Sequence, residues 1–204
     1  YKEAEGECFG MSKLWGCANL PHGCNYPELE WVNEDGMTCA DPMTFICQIR
    51  LQDIAAYDSE NLLPHTGMLY FFADIDYFLG NLEADSPGMG QWDKDRYRVL
   101  YAPETEHLDT HRIVCEDGTA FGLPAQELSF VPCEERADGF KLLGKPYFDE
   151  TEEEYPHYLS LLQLDCNDDW RLQFYDCGML NFLITPENLA ARKWEQAICH
   201  LHSF

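Results

Sequence analysis

The chain is poor in basic residues. Its 204 positions hold 13 Lys plus Arg against 37 Asp plus Glu, a formal charge of −24. Phosphate backbones are bound by basic surfaces that release counterions, so this balance argues against nucleic acid as a partner. An anionic membrane surface is disfavoured for the same reason. Long apolar runs are also missing, and none approaches the ~20 residues of a membrane span. The opening YKEAEGECFG is acidic and has no signal-peptide apolar core. The first residue is Tyr1 rather than Met, the expectation for a trimmed or processed chain. Only six serines occur, none of them in GxSxG. GxGxxG, the Walker loop and CxxC are absent as well. No reaction can be named from motifs.

What is present points to a folded chain. The apolar share is 46% and the aromatic share 14%, enough for a core despite the charge. The length favours one domain. The 14 Gly and 11 Pro are scattered, which suits many turns and short strands. Ten cysteines fall below the share of a disulfide scaffold. Cys47 in TFICQI and Cys199 in AICHL sit inside apolar runs, where a thiol acts as a small hydrophobe. Free thiols and a reducing, cytoplasmic location are expected.

Three blocks recur in the same order. KLWG (13–16) matches KLLG (141–144), FICQI (45–49) matches SLLQL (160–164), and GMLYFF (67–72) matches GMLNFL (178–183). The reading is one domain over 1–204 with an internal repeat of roughly 12–102 and 140–204. The blocks are short apolar runs with β-branched and aromatic residues between turn signals, so they read as strands. YRVLYA (97–102), HRIVC (111–115), QELSFV (126–131) and a closing strand through Cys199 and Leu201 join them. Helical signal is confined to Leu51–Tyr57 and to Glu187–Arg192, where Thr185 is placed as cap and Pro186 as first helical residue. The expected class is mainly β (α+β at most), a multi-sheet domain of two related halves with few short helices.

Chemistry-bearing residues are few. Gln48 and Gln163 occupy equivalent places, each among apolar residues, and a buried amide must be hydrogen-bonded. A structural role at a junction between sheets is the plain expectation, and ligand binding the sharper one. The segment from Asp165 to Asp176 imitates a calcium loop but puts Trp170 where Gly is needed and Asp176 where a bidentate Glu belongs. A turn into a strand at RLQFYD explains it as well. Cys17, His22 and Cys24 lie close together, and His107 and His111 are four apart, but neither set has zinc spacing. No metal and no cofactor are expected. Asp149, Glu150, Glu152, Glu153 and Glu154 form an acidic run, read as a solvated loop or as a surface that meets a basic protein.

The blocks KLWGCANLP, MTFICQIRL, LPHTGMLYFF, YRVLYA, KLLGKP, SLLQLD and DCGMLNFLIT, in this order from Ser12 onward, resemble the YwqG-like family of uncharacterised bacterial proteins. The pattern falls on Phe45, Gln48, Ile49, Leu63, Pro64, Gly67, Leu69, Tyr70, Phe71 and Phe72. In the second half it falls on Lys141, Leu142, Leu143, Gly144, Pro146, Leu162, Gln163, Asp176, Gly178, Leu180, Phe182 and Ile184. Trp15 departs from it, since the family tends to carry two glycines in the first block. So does NYPELEW, where the family has Trp-Pro. The resemblance implies a mainly β, multi-sheet fold and no assigned reaction; some members are said to lie near toxin genes. The functional expectation is a cytosolic, monomeric acidic binding protein that neutralises a basic partner protein, immunity-type. The alternative is a small-molecule or metal-dependent enzyme.

Overall fold

The computed structural model describes residues 2–3, 8–115 and 118–204. Its strands are β1 (Lys2–Glu3), β2 (Lys13–Leu14), β3 (Ala18–Pro21), β4 (Glu28–Val32), β5 (Thr38–Pro42), β6 (Thr44–Arg50) and β7 (Met68–Ala73). After these come β8 (Gly90–Gln91), β9 (Tyr97–Ala102), β10 (Leu108–His111), β11 (Gln126–Glu127) and β12 (Lys141–Leu142). Helix α1 (Asp149–Glu154), β13 (Leu159–Asp165), β14 (Met179–Ile184), α2 (Pro186–Ala190) and β15 (Ile198–His202) complete the order. The protein is mainly β, with several antiparallel sheets and two short helices among the described residues.

The chain folds as two compact units, Tyr1–Ala73 with Arg98–Val131, and Asp74–Tyr97 with Pro132–Phe204. The first holds the sheet β1-β11-β2-β6-β7-β9 and two ribbons, β10-β3 and β4-β5. Its core gathers Leu20, Met43, Phe45, Tyr70 and Phe72, with Leu29 and Leu108 packed on its border. The second unit holds the sheet β12-β13-β14-β15-β8. Leu162, Leu180, Phe182, Cys199 and Leu201 are buried there. Strands β6, β7, β13 and β14 are apolar and buried along nearly their whole length. Burial on both faces explains why they read as continuous runs rather than alternations.

Five expectations need correction. HRIVC does not form a strand: β10 ends at His111, where that strand was to begin, and only Val114 bridges onward, to Ala120. RLQFYD yields a lone bridge, Asn167 to Leu172, and β13 instead pairs with β14. The acidic run forms α1 rather than a loop. It has no Pro or Gly, and its first-turn carboxylates favour a helix N-terminus. The repulsion along it is relieved by Arg136, which pairs with Asp149 at 2.6 Å and also with Glu152, and by Lys145, 3.2 Å from Glu152. QELSFV is cut to β11, and Leu51–Tyr57 to a 3-10 turn at Leu51–Asp53 followed by loose turns. Helix α2 starts as read from the sequence, with the Thr185 hydroxyl accepting from Asn188 N at 3.2 Å.

Candidate functional site

The two glutamines are fully buried. In the first unit Gln48 lies opposite Lys13 in the β2–β6 ladder. Its Oε1 accepts from Asn19 N at 2.9 Å, six residues after the lysine, and its Nε2 donates to Met11 O at 2.9 Å, two before it. In the second unit Gln163 lies opposite Lys141. Its Oε1 accepts from Tyr147 N at 3.0 Å, again six after the lysine, and its Nε2 donates to Gly139 O at 3.0 Å, again two before. Each lysine strand ends in two left-handed residues, Trp15-Gly16 and Leu143-Gly144. Each glutamine strand carries a bulge three residues upstream of the amide, between Phe45 and Cys47 or between Ser160 and Leu162. The amides tie loop backbone to strand.

The lysines were missed by sequence reasoning. Lys13 is fully buried, and its ammonium donates to Asn19 Oδ1 at 2.9 Å, an oxygen that also accepts from Gly10 N and Gln48 Nε2. The Lys141 ammonium is caged by three carbonyls, of Glu135, Ala137 and Lys145, at 3.0, 3.0 and 2.6 Å. Burial pushes Lys141 below its ordinary value. The repeated KL dipeptide was the available signal; burial of its charge could not be read from neighbours in sequence.

Asp176 is exposed in the turn before β14, and Gln173 Nε2 donates to its main-chain oxygen at 2.7 Å. Asp165 turns its oxygens to Cys166 N and Gly139 N, at 2.7 and 3.1 Å, so the calcium-like segment is a backbone-capped turn. Within the acidic run, Asp149 and Glu152 are engaged by cations, and Glu154 approaches His200 at 3.9 Å. None of the ten cysteines is in a disulfide. Burial raises Cys47 and Cys199 well above the ordinary thiol value, so neither supplies a thiolate. Among the described residues no group of three or more His, Cys, Asp or Glu is disposed to hold a metal ion.

A concave feature lies in the first unit. Strand β10 pairs with β3 so that Leu108 faces Pro21, and His22 N donates to His107 O at 2.9 Å. This long-range pairing brings the two histidine segments side by side. They line a cleft of about 590 Å³ with Phe9, Glu104, Glu106 and Asp109. His22 Nδ1 sits 2.8 Å from Asp109 Oδ2, with side-chain exposures of 80% and 50%. A contact that open contributes little to stability and leaves the carboxylate accessible. No Lys or Arg lines the cleft. Three carboxylates, two imidazoles and one exposed phenyl ring make an acceptor for a cationic group with an apolar stem.

Fold and site together define a mainly β protein of two units with an acidic, open cleft on the first. The chain belongs to the family described as "Domain of unknown function (DUF1963)", which it matches over residues 12–202. That match takes in both units. No curated protein matches the chain.

Proposed function

We propose that the protein is a YwqG-like, cytosolic, acidic binding module that neutralises a basic partner protein in the manner of an immunity protein. The observation that supports this most is the cleft formed by Glu104, Glu106 and Asp109 with His22, His107 and Phe9, free of Lys and Arg in its lining. The −24 charge acts with it: a field of that sign gathers cationic partners, repels a second copy and favours a monomer. Most of the cleft walls are exposed, which suits a protruding Arg or Lys side chain better than an enclosed small molecule. The Lys–Gln arrangement shared by the two units supports reading them as related halves.

A hexa-arginine peptide titrated into isotope-labelled protein at low salt tests this reading. Shifts should concentrate at 21–22 and 104–109. They should fade as the screening length falls from ~30 Å at 0.01 M to ~8 Å at 0.15 M salt. Glu104→Gln with Glu106→Gln should weaken the interaction without unfolding the chain. Shifts spread evenly over every acidic surface, or none, would refute the proposal.

A further inference from the structure

Strands β4 and β5 form a ribbon whose ladder runs from Glu28 opposite Pro42 to Val32 opposite Thr38, and among the described residues no third strand joins it. Two-stranded ribbons are marginal alone, and their outer edges are templates for another strand. One face is anchored in part: Leu29 packs on the core border and Cys39 is half-buried, while the exposed Trp31 and Asp41 side chains bond to each other, Nε1 donating to Oδ2 at 2.7 Å. The other face carries Glu28, Glu30, Val32, Thr38 and Ala40, all exposed, with the half-buried Pro42 at its end. Val32 is 66% exposed and Met37, in the turn, 57%.

The ladder direction fixes which backbone groups are open. Asn33 N donates to Met37 O at 2.9 Å, so hydrogen-bonded pairs fall at 33/37, 31/39 and 29/41, by antiparallel alternation. The N–H and C=O groups of Glu28, Glu30 and Val32 therefore point outward along the free edge of β4. Their side chains share the exposed face, because successive residues alternate. Across the ladder Glu28 meets Pro42 and Glu30 meets Ala40, so neither carboxylate faces a cation. No Lys or Arg occurs anywhere between Lys13 and Arg50.

We propose that the outer edge of β4 is a docking strand for an extended basic segment of a partner protein, added antiparallel or parallel as a third strand. Its specificity follows from the row Glu28, Glu30, Val32: Lys or Arg at two alternate positions opposite the carboxylates, then an apolar residue opposite Val32. A second copy of this chain is disfavoured as occupant, since it would bring the same two carboxylates and another −24 charge to the edge. The inference rests on the basic-partner reading above but uses a different surface from the cleft, so the two can fail separately.

The experiment is amide hydrogen exchange on the full chain with a synthetic octapeptide whose alternate positions carry lysine, lysine and valine, with threonine between them. At a peptide concentration ten times its Kd, exchange at Glu30 and Val32 should slow about tenfold, as expected from the fraction bound. The amides of Leu29 and Trp31, already paired with β5, should change little. The same octapeptide with glutamate in place of both lysines should give no slowing. Glu28→Lys with Glu30→Lys should abolish the effect, and Glu30→Pro, which removes one outward N–H, should do so while the Trp31–Cys39 pairing remains visible by exchange. Glu104→Gln with Glu106→Gln should leave it intact. Absence of slowing, or equal slowing by the acidic peptide, would overturn the proposal. So would protection of Glu30 and Val32 that rises with protein concentration alone, together with a dimer in sedimentation, since the edge would then hold a second copy.

Discussion

Gln48 does more than fill a buried position: one side chain satisfies Asn19 N, Met11 O and the shared Asn19 Oδ1. Truncation to alanine would strand an N–H and a C=O inside the first unit, at about 1–3 kcal/mol for each buried group left unpaired. Gln48→Ala should therefore lower the denaturant midpoint far more than a surface Gln→Ala change such as Gln52→Ala, whose side chain is exposed. A loss under about 0.5 kcal/mol would remove the amide from its assigned role. A second residue sets a pH response. Burial holds the His200 imidazole below its ordinary value of 6.5, with Glu154 opposing and His202 reinforcing the shift. The folded chain thus keeps His200 neutral at pH values where the unfolded chain binds a proton. Its contribution is complete above pH 6.5 and is lost as pH falls below that value toward the folded one. Unfolding midpoints measured from pH 7.5 to 5 should fall less steeply in His200→Gln than in the wild type. Parallel curves would show that the imidazole is not held neutral.

At the scale of elements, two short devices decide whether strands meet. Gly67 opens β7 at φ +84°, and a Cβ there would collide with the Ala102 carbonyl and crowd the Tyr101 ring. Gly67→Ala combines left-handed strain with a backbone clash against the end of β9, worth roughly 2–5 kcal/mol. Gly178, at the matching place before β14, would meet Phe174 O at 2.6 Å and His202 O at 2.7 Å. Both alanine variants should unfold at lower denaturant than Gly23→Ala, where a Cβ meets nothing within 4 Å and only the φ of +78° opposes it. Helix α2 depends on its cap, and Thr185→Ala should cost about 1 kcal/mol in the same measurement. Helix α1 depends instead on charge. Arg136→Gln leaves Asp149 and Glu152 without that cation, so exchange at 149–154 should accelerate and global stability move by no more than about 1 kcal/mol.

For the whole molecule the dominant quantity is the charge of −24. Association with a basic protein should be steered by this field. The on-rate should drop as salt rises while the off-rate changes less, which is how rim charges act. Glu150 and Glu153, the exposed members of α1 without an assigned cation, should contribute to that rate. Asp149 and Glu152 are already engaged within the second unit and should contribute less. Stopped-flow traces at low and high salt for Glu150→Gln with Glu153→Gln would read this directly. A salt-independent on-rate would end the electrostatic account.

The strands of the repeated blocks were legible because apolar, β-branched and aromatic runs between Gly and Pro leave little choice of local structure. YRVLYA maps onto β9 residue for residue, and Thr185-Pro186 announced α2. The acidic excess, and with it the partner class it disfavours, is also a property of the sequence, since charge is counted without folding. Other outcomes depended on contacts between distant residues. Whether DETEEE becomes helix or loop turned on Arg136 and Lys145, which sit outside the run. Whether Lys13 is a surface charge or a buried donor turned on the Asn19 amide oxygen that accepts it, which Gln48 across the β2–β6 ladder also holds. The histidines at 22 and 107 offered only poor zinc spacing, and became walls of one acidic cleft because β3 pairs with β10 across some 87 positions. Local sequence sets the preference of each segment, but ladder pairing between remote strands decides which charges end up buried, paired or open to a partner.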